Sequence, residues 1–181
     1  MATQYWFISW SIESHTDTLS NGSNYGYLGA AQFSRGKKKN GDPKKNTRAT
    51  YLYNAVKLGD YVICGNAPSG KAVAAILVEE KIPQDGKDNI SLAEGVWPND
   101  KYTATHKTRL IARCDGVDVS ELKQQSAPTK RFPKGKLEFG INKGNGFKGK
   151  AGVVREISES DYVKMRNKIN VAAKRVAPSL V

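Results

Sequence analysis

The segment Gly65-Asn66-Ala67-Pro68-Ser69-Gly70-Lys71 has the spacing of a phosphate-binding loop, G-x-x-x-x-G-K. In such a loop the glycines let backbone N–H groups converge on phosphates, and the Lys reaches the outer ones. A Ser or Thr directly after the Lys holds magnesium. Ala72 stands in that last position and has no atom to ligate a metal. The residues that follow, Ala72 to Glu80, include Val73, Ile76 and Val78, which favour a strand where such a loop requires a helix. Asn66 to Gly70 is turn chemistry between two apolar runs, so the segment reads as the tip of a β-hairpin. Lys71 then remains a candidate contact for a nucleic-acid phosphate.

Other constellations that carry catalysis are also missing. There is no His-x-x-x-His and no Gly-x-Ser-x-Gly. His15 and His106 have no evident partner, and zinc would want more Cys and His at close spacing. Cys64 and Cys114 each sit in an apolar run and read as buried free thiols. Glu79-Glu80-Lys81 is only a faint approach to the acid and Glu-x-Lys set of a metal nuclease. The chain therefore reads as a binding module, not an enzyme, with no cofactor and no metal.

What it would bind follows from charge. Lys and Arg number 29 against 17 Asp and Glu, a net +12. The excess is clustered. Residues 35–57 hold eight Lys or Arg against Asp42 alone, residues 123–155 hold nine against Glu138 alone, and residues 1–34 hold none. Such clusters are candidate phosphate-binding surfaces. Lys37, Lys38, Lys39, Lys44 and Lys45 form the first, and Lys130, Arg131, Lys134, Lys143, Lys148 and Lys150 the second. Gly144-Asn145-Gly146-Phe147 lies inside the second, where Phe147 or Phe139 is placed to stack on or wedge between bases.

The elements that must position these groups are legible in outline. Tyr5 to Trp10 reads as a strand buried on both faces, with Trp6 and Phe7 in the core. Ser11 to Asn24 and Gly36 to Asn46 read as loops. Thr47 to Val56 predicts a short helix with Leu52, Ala55 and Val56 on one side, ending at a Gly59-Asp60 turn. Strands follow at Tyr61 to Cys64, Ala72 to Glu80 and Tyr102 to Cys114. Residues 124–151 form a long basic Gly/Pro/Lys loop. Val153 to Ile157 is a last strand, and Ser158 then caps a helix with Asp161 at its third position. The layout is α+β, a small curled β-barrel with flanking helices, in one domain spanning residues 1–181 with basic loops at about 35–46 and 124–151.

Several of these stretches resemble the EVE domain. Asn46-Thr47-Arg48-Ala49-Thr50-Tyr51-Leu52-Tyr53-Asn54-Ala55-Val56-Lys57-Leu58-Gly59-Asp60 is similar to that family's Asn, short helix and Val/Met-Lys-x-Gly-Asp. Tyr5-Trp6-Phe7-Ile8 looks like its opening strand, and residues 72–80 its Gly-Ile-Ala-Glu-Val-Val strand. Val153 to Tyr162 resembles its closing strand and helix. Ser9 to Ser14 and Gly41 to Lys45 depart from the family pattern, and residues 115–151 are longer than usual. EVE domains are YTH relatives in the PUA-like group. The resemblance implies a small barrel that reads a modified base, as YTH members hold a methylated adenine in an aromatic cage. Similar domains at the N-terminus of McrB-type restriction subunits read modified DNA.

The resemblance also implies where the cage lies. A flipped base needs π-faces on both sides and donors at its edge. Trp97, in Gly95-Val96-Trp97-Pro98-Asn99, occupies a loop comparable to the one carrying a YTH cage Trp before Pro. Tyr25 and Tyr27 resemble the other aromatic position. Trp10 is a candidate wall, and Asn24 and Ser23 are candidate partners for the base edge. The expected partner is nucleic acid, DNA ahead of RNA, in a targeting module attached to motor or nuclease subunits. The alternative is a PUA-like domain reading methylated or structured RNA. No apolar run reaches membrane-span length and no basic leader precedes an apolar stretch, so a cytoplasmic protein is expected.

Overall fold

The computed structural model describes residues 2–11, 26–31, 33–45, 52–67, 71–84, 102–119 and 153–176. Eight strands run in chain order: β1 (Tyr5–Ser11), β2 (Tyr27–Ala31), β3 (Phe33–Lys37), β4 (Pro43–Lys45), β5 (Tyr61–Ala67), β6 (Lys71–Lys81), β7 (Tyr102–Val117) and β8 (Val153–Ile157). Helix α1 (Glu159–Val176) follows β8, and residues 52–55 form a short helical turn. Six strands make one mixed sheet in the order β2-β7-β6-β5-β1-β8, while β3 and β4 form a separate two-stranded sheet.

β1 lies inside the sheet, next to the edge strand β8, and both of its faces are apolar. It pairs parallel with β5 and antiparallel with β8. Trp6 and Ile8 point into one core with Leu28, Leu52, Val56, Val62 and Ile76. Phe7, between them, points into the other with Ile63, Ile157, Tyr162, Met165 and Ile169. The period-two alternation of a strand makes this division. Residues 52–56 cover the first face and α1 the second.

α1 begins where the sequence predicts. The Ser158 hydroxyl accepts the Asp161 amide at 3.0 Å, and Glu159 and Asp161 place acid in the first turn, where the helix dipole favours it. Tyr162, Met165 and Ile169 lie against the sheet. Burying each is worth about 1.5–3 kcal/mol, far above the few tenths that separate helix propensities, so packing holds this helix in place.

β7 alternates between exposed Lys107 and Arg109 and buried His106 and Thr108. The β6–β7 pairing shifts register three times, between Ala72/Ala74, Ala75/Ile76 and Val78/Glu80. Bulges of this kind increase local twist and bend a sheet. Among the described residues the sheet nonetheless ends at β2 and β8 and is not closed into the expected barrel.

Three expectations need correction. Residues 36–46 are not a plain loop, because β3 and β4 pair as a hairpin (Phe33↔Lys45, Lys37↔Pro43). Gly, Lys and Asn content hid the pairing, since strand propensity is weak evidence beside cross-strand contacts. Tyr27 starts β2, a strand missing from the sequence-based outline because its five residues, small or apolar, carry no strand signal. Arg155, counted in the second basic cluster, is 1% exposed and adds nothing to a surface field.

Candidate nucleic-acid interface

The strands flanking the P-loop-like segment, β5 and β6, pair antiparallel as a hairpin requires, with Gly65 opposite Ala72 and Asn66 opposite Lys71, and residues 68–70 at its tip lie outside the described residues. Gly65 serves packing: a Cβ there would collide with the Phe7 ring. That glycine makes room for a core ring and does not cradle a phosphate. The Lys71 stem runs beside Gly116 on β7, where a Cβ would meet Lys71 Cβ at 3.2 Å.

The first basic cluster is carried on the β3–β4 hairpin. Its turn is closed by the Lys38 amide donating to Asp42 O and the Gly41 amide donating to Lys38 O, both at 2.9 Å. Asn40 Nδ2 donates to Asp42 Oδ2 at 2.6 Å, and Gly41 has φ +87°, a conformation glycine takes without steric cost. Lys38 and Lys39 are exposed on this turn. Lys37, Lys44 and Lys45 lie in the two strands.

The base-binding residues are only partly within view. Trp97, Tyr25, Asn24 and Ser23 lie outside the described residues, as do Lys130, Arg131, Lys134, Lys143, Lys148 and Lys150. Trp10 lies in β1 opposite Asn66 of β5, which in turn pairs with Lys71. Tyr27 lies on edge strand β2 opposite Lys107, which pairs with Glu80. These two rows are nine residues apart along β6, roughly 30 Å of strand. Strand pairing alone does not bring Trp10 and Tyr27 together. Tyr27 is half-buried, and its neighbour Leu28 is fully buried on the opposite face.

Sequence reasoning missed a second aromatic at the Tyr27 end. Tyr53 is half-buried beside His106, with ring centroids 6.1 Å apart, and Lys81 Nζ lies 3.9 Å over its ring. His106 pairs across β7 with Leu28 of β2 and with Lys81 of β6. A cation held over a partly open Tyr is worth about 0.5–1 kcal/mol. Its only sequence signal was the position of Tyr53 inside the predicted short helix.

Two buried polar groups fix this end of the sheet. Asp60 is 1% exposed and accepts three hydrogen bonds: from the Gln4 amide at 3.0 Å, from Trp6 Nε1 at 2.9 Å and from the Lys57 amide at 2.9 Å. It joins the start of β1 to the segment that follows residues 52–55. His106, which offered no partner in the sequence, has two. Its Nε2–H donates to Val56 O at 3.0 Å, and its Nδ1 lies 2.8 Å from the Thr105 hydroxyl. The carbonyl only accepts, so Nε2 carries the proton and a neutral ring takes the Thr105 proton at Nδ1. That hydroxyl also lies 3.2 Å from Leu28 O, and its one proton serves one acceptor at a time. Desolvation lowers the His106 pKa to about 4, with nearby Lys81 adding to the fall and the Val56 carbonyl and Asp60 opposing it. His106 is a neutral structural group at physiological pH.

Glu79 and Glu80, the faint nuclease motif, are cross-strand partners instead. Glu79 pairs with Arg109 at 2.8 Å and Glu80 with Lys107 at 3.2 Å, both on an exposed face. Cys64 and Cys114 are buried free thiols, and burial pushes both pKa values up, which keeps them protonated and unreactive. Among the described residues no helix is long and apolar enough to cross a membrane.

No family model matches the chain, and no curated protein matches it. Solved structures do. The chain is similar to the Pho92 YTH domain in complex with m6A, at 15% identity and a TM-score of 0.50, over 93% of this chain and 86% of that one. It also aligns with the YTH domain of the MRB1 protein of Zygosaccharomyces rouxii in complex with N6-methyladenosine RNA, at 16% identity and a TM-score of 0.47, over 93% and 88%. A hypothetical protein from Leishmania major aligns at 14% identity and a TM-score of 0.47, over 92% and 96%. At such identities the likeness to Pho92 is one of fold: an α+β chain with a YTH-like mixed sheet.

Proposed function

We propose that this protein is a non-catalytic reader of a methylated base in RNA. The observation that carries the reading is the fold likeness to a YTH domain whose structure holds m6A, extending over 93% of the chain. Because m6A is a ribonucleoside, this supports the RNA alternative over the DNA reading that the McrB-like resemblance favoured. The EVE assignment itself rests on the residues quoted for it. The net charge of +12 and its clustering add the affinity for a polyanion that such a reader needs.

In this reading Trp97 forms one wall of the base slot, and Tyr25 and Tyr27 supply the opposing face. Asn24 and Ser23 bond the base edge. Enclosure makes the methyl group count: burying one adds about 0.8 kcal/mol, roughly a fourfold preference, and shape and hydrogen bonding add to it. Stacking contributes about 1–3 kcal/mol per base whether or not it is methylated.

The test compares binding of one RNA oligonucleotide with and without a single N6-methyladenosine, beside the matching DNA pair. The expected result is tighter binding of the methylated RNA, with Trp97→Ala removing the preference and leaving the salt-sensitive background. Equal losses on methylated and plain RNA would exclude Trp97 from the slot. A preference confined to the methylated DNA would return the reading to a restriction-type module.

A further inference from the structure

We infer that the β3–β4 hairpin is a prefolded cationic arm that grips the phosphodiester backbone of single-stranded RNA without regard to base identity. The inference rests on the RNA-reading proposal and deepens it by assigning its electrostatic part to one element.

Four observations carry it. The hairpin stands apart from the six-stranded sheet as its own two-stranded unit. It holds Arg35, Lys37, Lys38, Lys39, Lys44 and Lys45 in thirteen residues, with Asp42 as its one acid. Asp42 is drawn back into the turn by Asn40, and both Lys38 and Lys39 are exposed there. The turn is ordered by its own hydrogen bonds and by the positive φ of Gly41.

The clustered like charges of the arm repel one another. A polyanion along the arm relieves that repulsion. Because the turn is already formed, binding costs little ordering entropy there. Lysine is a mobile point charge suited to phosphate oxygens, and phosphate contacts carry no sequence information. Reading of a base in RNA targets single-stranded segments whose bases are unstacked, so an arm serving the proposed reader meets the backbone of a single strand.

The experiment measures the affinity of the full chain for methylated and plain single-stranded RNA across a salt series. Each lost phosphate contact should reduce the slope of log K against log salt by about 0.7. K38Q/K39Q is expected to lower the slope by about 1.4 on both RNAs alike, and K38R/K39R to leave it unchanged. K164Q/K174Q removes the same charge from exposed positions on α1 and should leave the slope unchanged. An unchanged slope in K38Q/K39Q, or an equal fall in K164Q/K174Q, overturns the arm. If the slope falls as expected while the unaltered protein shows no preference for the methyl group, the arm stands and the base-reading proposal fails. If methyl preference persists with no change of slope, the arm alone fails. Absence of salt-dependent RNA binding by the unaltered protein overturns the arm as well.

Discussion

Asp60 and Gly65 show how much one residue can hold. Each bond that Asp60 accepts joins segments distant in sequence or closes the turn before β5. The donors from Trp6 Nε1 and the Lys57 amide share Oδ2. In Asp60→Asn an NH2 group or a single carbonyl oxygen must face them, so at least one buried donor loses its acceptor. Bonds to charged groups are worth about 1.5–3 kcal/mol each, and we expect Asp60→Asn to lower unfolding free energy by about 3 kcal/mol in urea denaturation. A loss under about 1 kcal/mol would show that water reaches the site. Gly65→Ala tests the opposite fault, overpacking. Its Cβ would collide with the Phe7 ring, and shifting a core ring costs about 1–3 kcal/mol. Pairing it with Phe7→Leu should recover part of the loss if the ring is the obstacle.

At the scale of elements, His106 ties two of them: β7, which carries it, and the segment ending at Val56. Its folded pKa, about 4, lies below the ordinary 6.5. Between those values the unfolded chain binds more protons than the folded one, so stability is full above pH 6.5 and falls as pH drops toward 4. A shift of that size corresponds to on the order of 3 kcal/mol. Urea midpoints at pH 7.5 and 4.5 should show this fall, and His106→Gln should flatten it. A pH profile unchanged by that substitution would place the titration elsewhere. Other charged groups near His106 do not reverse the sign: Lys81 works in the same direction, and the opposing influence of Asp60 is the smallest of those acting on the ring.

For the whole molecule, the two outer strands of the sheet matter most. β2 bears Tyr27 and leads directly into the cationic hairpin, while β8 leads into α1. Chain connectivity thus places a candidate base-facing aromatic and the proposed phosphate-binding arm within twenty residues of each other. Under the proposed function, binding energy divides into a salt-dependent share, uniform across RNAs, and a methyl-dependent share confined to the slot. The salt slope and the methylated-to-plain ratio report these shares separately. Variants at Lys38 and Lys39 should move the first, and Trp97→Ala the second.

Local pattern in the sequence already determined β1, β5, β6, β7, β8, the antiparallel pairing of β5 with β6 and the start of α1. Each buries an apolar face whose period, or a cap whose chemistry, is written in neighbouring residues. The buried state of Trp6, Phe7 and both cysteines follows from the same runs. Only the tertiary structure decided the parallel pairing of β1 with β5, the three bonds of Asp60, the partners of His106 and the pairing of β3 with β4. Those depend on contacts between residues as much as 50 or more positions apart, or on cross-strand register, and neither leaves a local period. Charge placement divides the same way: composition raised the expectation of a polyanion partner, but burial of Arg155 and ordering of the turn at Lys38 and Lys39 determine which cations are placed to meet one.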